Sequence, residues 1–86
     1  MVSFTYSICD SHGVHARPAG LLAKLAQKYD GTALTIEKNG KSANLDRVLA
    51  LMGLGIKQGD TVTVTASGEH EQQALEEIEK FFRENL

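Results

Sequence analysis

Apolar side chains recur at every second position in three stretches of the chain. Over residues 2–8, valine, phenylalanine, tyrosine and isoleucine alternate with serine and threonine, and residues 34–36 and 62–66 repeat this period. A two-residue period is typical of a strand with one buried face. Asn39-Gly40, which follows the second stretch, is a pair preferred in two-residue hairpin turns. The pattern predicts four strands, of which the second and third form a hairpin.

Three other stretches have apolar residues at the spacing of a helix with one buried face. The first runs from Ala16 to Tyr29 and has Pro18 in its first turn, where the missing N–H costs nothing. The third covers residues 67–85, with acidic residues early and basic residues late, as the helix dipole favours. The second is short, and its apolar residues are Leu45, Val48, Leu49 and Met52.

The predicted order of elements is therefore βαββαβα. One sheet of about four strands with helices on a single face is the economical way to build a core from so short a chain. The 86 residues are enough for one such core and not for two. We predict an α+β fold and one domain, residues 1–86.

Composition excludes some classes of binding partner and some cellular locations. The net charge is −2 and the pI is near 5.8, which argues against nucleic acid and against an anionic membrane surface. Cys9 is the only cysteine, so no internal disulfide is expected. The first ten residues lack the pattern of a signal peptide, and no apolar run approaches the ~20 residues of a membrane span. We expect a cytoplasmic protein without membrane insertion.

The residues with the most reactive and charged side chains lie where the first helix begins. His15 directly precedes this helix, and a neutral imidazole has a nitrogen lone pair that can attack phosphorus. The N–H groups of Ala16 and Arg17 and the positive end of the helix dipole attract phosphate oxygens. The Arg17 guanidinium adds a permanent charge suited to phosphate, and Pro18 stiffens the turn. The set is consistent with reversible phosphorylation of His15, whereas the simpler interpretation is that His15 caps the helix and Arg17 is solvated.

The contiguous segment GVHARPAGLL, residues 13–22, decides between these interpretations by resemblance. Together with KYDG, NGKSANL, LMGLGIKQGD and TASGE, it resembles the HPr family, the histidine-containing phosphocarriers of the bacterial phosphoenolpyruvate-dependent sugar phosphotransferase system. The resemblance covers the whole chain. It implies an open-faced β-sandwich, in which a four-stranded antiparallel sheet carries three helices on one face.

The same resemblance implies a function. His15 would carry phosphate on Nδ1 with the assistance of Arg17. The phosphorylated first enzyme of the pathway would be the donor, and sugar-specific second-enzyme A domains would be the acceptors. The chain itself would be a phosphoryl carrier and not an enzyme, and we expect a monomer that needs neither a cofactor nor a metal.

Small and apolar residues near His15 are candidates for docking these partners. An exposed apolar patch excludes water while two proteins exchange phosphate. Lys24 extends a basic rim that would steer acidic partners, or is simply a solvated lysine. Burial in the core is the competing interpretation for the larger apolar residues, although the resemblance favours exposure for Leu49 and Met52. The candidates are Gly20, Leu21, Val48, Leu49 and Met52.

The chain departs from the family at two positions. Many members carry a regulatory serine at the start of the second helix, where an ATP-dependent kinase phosphorylates it, but Arg47 is the matching residue here. We expect Asp46 to cap this helix or to pair with Arg47, and Arg47 to face partners. His12 replaces a small polar residue; it either contacts His15 or its phosphate, or lies in the loop facing water.

Two hypotheses from other classes remain beside the phosphocarrier. One is a regulatory module that acts through protein contacts, and the intact HARPA segment argues against it. The other is a small domain that binds RNA through its sheet, and the acidic pI argues against this. His12 and His15 have an H-x-x-H spacing, but no cysteine or carboxylate in the sequence pattern completes a zinc site.

Overall fold

The four predicted strands pair into one antiparallel sheet in the order β1-β4-β2-β3. The computed structural model describes all residues from 1 to 86. Strand β4 lies at the centre and pairs with β1 on one side and with β2 on the other. The strands are β1 (Val2–Ser7), β2 (Thr32–Lys38), β3 (Lys41–Asn44) and β4 (Thr61–Gly68).

The predicted hairpin joins β2 to β3. Lys38 pairs with Lys41, so that Asn39 and Gly40 alone form the turn. Their φ angles are 52° and 81°, the left-handed values that a two-residue primed turn requires at both positions. The Asn-Gly pair therefore fixes the register of this edge of the sheet.

Three helices cover one face of the sheet: α1 (Ala16–Gln27), α2 (Val48–Gly53) and α3 (Glu71–Asn85). No helix is both long enough and apolar enough to span a bilayer. The Phe82 ring from α3 contacts the edges of Phe4 and Tyr6 on β1, each with a centroid distance of 5.5 Å. The opposite face of the sheet carries mainly serine and threonine. The largest fully buried side chains are Phe82, Leu22, Ile36, Leu45, Leu51, Ile78, Val62 and Val64.

The structure decides which apolar residues around the second helix are buried, a choice that the sequence pattern left open. The helix begins at Val48, and Leu45 enters the core from the connection before it, where its N–H donates to the Leu34 carbonyl at 2.9 Å. Leu51 is the helix residue that the core encloses. With only six residues, α2 has too few turns to establish a periodic face, so contacts with its neighbours decide its orientation.

A cluster of three side chains ties the end of α1 to α3. The buried Tyr29 donates its hydroxyl to Glu77 Oε1, and Lys28 Nζ lies 3.1 Å from both Glu77 carboxylate oxygens. The Tyr29 hydrogen bond, and after it the Lys28 ammonium, lowers the pKa of Glu77. The carboxylate is therefore better stabilised in the folded state than in the unfolded chain.

Replacing Glu77 with glutamine is expected to lower the thermal midpoint near neutral pH. Because the folded pKa of Glu77 is lowered, its contribution is present above the unfolded pKa of about 4.3 and is lost as the pH falls through the folded value. The gap between wild type and Glu77→Gln should therefore narrow under acid. Thermal unfolding of both proteins across the acid range measures this. The control is Glu76→Gln, because Glu76 is an exposed neighbour without a partner on α1. If both variants lowered the thermal midpoint equally, Glu77 would have no special role in joining α1 to α3.

Candidate functional site

The loop that precedes α1, residues 8–14, rests on a second segment, residues 54–60. We call these the His15 loop and the support segment. Val14 N–H donates to the Ile56 carbonyl at 3.1 Å, and Ile8 N–H donates to the Asp60 carbonyl at 2.9 Å. Gly13 has φ of +64°, and a Cβ at this position would lie 2.8 Å from the Lys57 Cα. Only glycine combines this conformation with this close backbone approach.

His15 occupies the N-cap position of α1 without capping it through its side chain. Its backbone is extended, with φ of −101°, and its carbonyl accepts the first helical hydrogen bond from Ala19 N–H at 3.0 Å. The imidazole makes no hydrogen bond to the helix, and 46% of the side chain is exposed. The ring is therefore free to react at the surface.

Two N–H donors remain unpaired within the helix at its first turn. The residues after the N-cap are Ala16, Arg17 and Pro18, and the first three positions of a helix have no intrahelical acceptor. Pro18 is buried and has no N–H, so only Ala16 and Arg17 offer donors beside the imidazole. Their side chains are exposed.

Asp10 is a site residue that the sequence reasoning missed. Its Oδ2 lies 3.8 Å from His15 Nε2, so the carboxylate is a charged neighbour of the imidazole without a hydrogen bond to it. No sequence signal points to this contact, because Asp10 lies in a loop without periodicity.

His12 lies against His15 and not in a separate part of the loop. The two rings meet edge to face with centroids 5.6 Å apart, and Ser11 Oγ lies 3.4 Å from His12 Nδ1. His12 is therefore a neighbour of any group attached to His15. No cluster of three potential metal ligands forms around the pair.

Arg17 and His15 share a shallow cleft at the surface. Arg17 is exposed and has no carboxylate within ion-pair distance. Its guanidinium thus has no structural partner within the chain. The cleft is lined by Asp10, His15, Arg17, Pro18, Leu21 and Asn85.

The candidate docking residues lie on α1 and α2, and their exposure differs. Leu49 is 85% exposed, Leu21 is 46% exposed and Met52 is 38% exposed, so these three present apolar surface to solvent. Val48 is half-buried and packs against the core, which leaves it only a partial role at the surface. Gly20 is half-buried and Lys24 is exposed.

Arg47 and Asp46 do not behave as a capping pair. Arg47 is exposed at the N-cap position of α2, and no side chain caps that helix. Arg47 forms no ion pair, so the expected pairing with Asp46 was wrong. The Arg47 backbone is extended, and its N–H donates to the Asn44 carbonyl at 3.1 Å.

An exposed imidazole at a helix N-terminus, beside unpaired N–H groups and an unpaired arginine, is the arrangement expected of a histidine phosphocarrier. The comparisons with known proteins agree with this class. The family model for the PTS HPr component phosphorylation site matches residues 2–84. The phosphocarrier protein HPr of Mycoplasma genitalium is 35% identical over 85 residues, which are 99% of this chain and 97% of that protein.

Solved structures match in the same way. The histidine-containing phosphocarrier protein from Mycoplasma superposes with a TM-score of 0.92 at 36% identity, over 96% of this chain and 93% of that one. An HPr dimer from Thermoanaerobacter tengcongensis has a TM-score of 0.66 at 34% identity, over 94% of this chain and 98% of that one. The chain belongs to the HPr family of phosphocarrier proteins of the phosphotransferase system. The predicted open-faced sandwich with three helices on one face is confirmed.

Proposed function

We propose that His15 accepts a phosphoryl group from the phosphorylated first enzyme of the phosphotransferase system and passes it to sugar-specific second-enzyme A domains. The observation that carries this proposal is the exposed imidazole, which leaves Nδ1 unbonded beside two free helix N–H groups. The whole chain, residues 1–86, acts as one cytoplasmic domain. It works as a carrier between enzymes and not as an enzyme.

The transfer needs no group beyond those at the site. The Nδ1 lone pair attacks the phosphorus of the donor, the donor's bond to phosphorus breaks, and the donor keeps that electron pair. The Ala16 and Arg17 N–H groups donate to the phosphoryl oxygens, and the Arg17 guanidinium balances their charge. His12, whose ring centroid lies 5.6 Å from that of His15, adds a neighbouring donor. In the second transfer an acceptor nucleophile attacks the same phosphorus, and the electron pair returns to Nδ1.

Docking is assigned to the apolar surface of Leu21, Leu49 and Met52, with Gly20 and Val48 completing it and Lys24 and Arg47 as cations at its rim. Apolar residues at the centre of an interface with charged residues around them exclude water and direct acidic partners. Two relatives, an HPr from Thermoanaerobacter tengcongensis and Crh, have been solved as dimers. We propose the monomer as the working form of this chain, because His15 must face the donor and the acceptor in turn.

Incubation with phosphoenolpyruvate and the first enzyme tests this function. We expect the intact mass to rise by one phosphoryl group, and acid to remove that group, as is typical of phosphohistidine. Addition of a second-enzyme A domain should return the mass to its original value. A wild-type protein that gains no phosphate with an active donor would overturn the proposal.

Replacing Arg17 with alanine is expected to slow phosphoryl transfer strongly and to change stability little. Its guanidinium has no carboxylate partner within the chain, and an exposed arginine contributes little to the free energy of unfolding. The control is Lys24→Ala, which removes another positive charge from α1. Comparing the transfer rates and thermal midpoints of the two variants separates an effect of the charge beside His15 from an effect of net charge. Unchanged transfer together with a clearly lowered midpoint would show that Arg17 is structural.

The ATP-dependent serine kinase of many relatives is expected to leave this protein unmodified. Arg47 has no hydroxyl, and its charge is opposite to that of a phosphoserine. Mass spectrometry after incubation with ATP and the kinase should show no acid-stable phosphate, including at Ser42. Arg47→Ser should then create a modifiable residue, because Leu49 and Met52 still present their exposed surface beside it. Acid-stable phosphate on the wild type would contradict the prediction.

A further inference from the structure

Lys38 joins the sheet to the support segment at a point remote from His15. It lies at the end of β2, and its side chain is only 17% exposed. Its Nζ donates to the Gly55 carbonyl at 2.8 Å and lies 2.8 Å from Asp60 Oδ2. One ammonium group therefore holds both ends of the support segment.

Asp60 extends this contact along the segment. Its Oδ2 accepts a hydrogen bond from Lys57 N–H at 2.8 Å, and Asp60 N–H donates back to the Lys57 carbonyl at 3.0 Å. The Lys38 hydrogen bond lowers the pKa of Asp60, so the carboxylate stays ionised at neutral pH. Two hydrogen bonds between Lys57 and Asp60 therefore close this turn.

The His15 loop shares four hydrogen bonds with this segment. In addition to the Val14 and Ile8 bonds, Gly59 N–H donates to the Ile8 carbonyl at 2.8 Å, and Gln58 Nε2 donates to the Cys9 carbonyl at 3.2 Å. The Leu86 carbonyl holds the start of the loop by accepting from the Cys9 and Asp10 N–H groups, whereas the support segment holds the end of the loop next to His15. Val14 comes immediately before His15, so a shift of Ile56 moves the backbone from which the imidazole projects.

We propose that Lys38 is a positioning residue for His15, which it aims by clamping Gly55 and Asp60 and thereby fixing the support segment beneath the His15 loop. Lys38 touches neither the imidazole nor any phosphate. Its effect on transfer rests on the proposed function, whereas its effect on the order of the loop does not. Gly55 N–H also bonds to the Met52 carbonyl at 3.1 Å, so the same clamp reaches the end of α2.

Four variants separate the clamp from general stability. Lys38→Met removes the charge and keeps an apolar stem, Asp60→Asn weakens the same contact from the other side, and Lys38→Arg keeps a cation that can reach both acceptors. The matched control is Lys41→Met, an exposed lysine that pairs with Lys38 across the hairpin and forms no ion pair. All four are examined by amide hydrogen exchange and by transfer from the phosphorylated first enzyme.

The expected result is a local loss of protection. In Lys38→Met the Val14 amide should exchange about tenfold faster relative to the Val64 amide of the central strand, as loss of a charged hydrogen bond implies. The transfer rate of Lys38→Met at saturating donor should fall with little change in KM. Lys38→Arg should restore both the Val14 exchange ratio and the transfer rate. Equal acceleration of the Val14 and Val64 amides, or unchanged transfer in Lys38→Met, would overturn the proposal. Should Lys38→Met not fold, Asp60→Asn decides by the same two measurements.

The outcome also separates this proposal from the proposed function. If wild type accepts no phosphate, the proposed function fails, and the Val14 exchange ratio still decides whether Lys38 orders the loop. If wild type accepts phosphate and the exchange ratio of Lys38→Met equals that of Lys41→Met, only the clamp fails.

Discussion

Replacing His15 with alanine is expected to abolish phosphoryl acceptance and to leave the fold intact. No other side chain at the site has a nucleophilic nitrogen at the N-cap of α1, since His12 lies in the preceding loop. The imidazole is exposed and makes no capping hydrogen bond, so its removal should change the free energy of unfolding by no more than about 0.5 kcal/mol. Intact mass after incubation with the donor, together with circular dichroism, measures both effects.

His70→Ala and His12→Ala are the controls for this variant. His70 is exposed at the start of α3, far along the chain from the site, and its removal should leave acceptance unchanged. His12→Ala should slow transfer without preventing it, because His12 is proposed to contact the phosphoryl group and not to carry it. Acid-labile phosphate on His15→Ala would refute the assignment of the carrier residue. A loss of the folded spectrum would show instead that the imidazole supports the loop.

Replacing Gly13 with alanine is expected to lower both the free energy of unfolding and the rate of phosphoryl transfer. The left-handed backbone at φ of +64° costs a non-glycine residue about 1–2 kcal/mol, and the new Cβ would press on the Ile56 carbonyl and the Lys57 Cα. Because both contacts are backbone atoms, the His15 loop must move away from the support segment. We expect the free energy of unfolding to fall by about 2 kcal/mol or more, and transfer to fall further than the unfolded fraction explains.

Gly20→Ala is the matched substitution for this test. Gly20 lies inside α1, and no atom lies within 4 Å of the position that a Cβ would take. Alanine there should raise the free energy of unfolding by about 0.5–1 kcal/mol through helix propensity. Denaturant unfolding of the two variants should therefore give shifts of opposite sign. A Gly13→Ala protein as stable as the wild type would mean that the close approach at Gly13 does not constrain the loop.

The elements of this fold could be predicted because their signals are local. The two-residue period of β1 and β4, the Asn39-Gly40 turn and the apolar stripes of α1 and α3 each lie within a few consecutive residues. The position of His15 at a helix start is also a local property, because Pro18 and the periodic residues after it mark the first turn. The family followed from the contiguous segment around His15.

The orientation of α2 could not be read in this way. Leu49 and Leu51 are chemically alike and two residues apart, yet Leu49 is 85% exposed and Leu51 is fully buried. Six residues do not define a periodic face, so packing against the rest of the core chooses between them. The sequence pattern alone left exposure and burial equally open for these apolar residues.

The sequence by itself determined the strands, the long helices, the hairpin register and the placement of one histidine at a helix N-terminus. The tertiary structure decided which apolar residues of α2 face solvent, that Asp10 approaches Nε2 of His15, and that Lys38 holds the support segment beneath the His15 loop. The physical reason is the distance along the chain between the residues that interact. Periodicity and turn chemistry act between neighbours in the chain, whereas these contacts join side chains from loops and distant strands, where no local pattern records the partner.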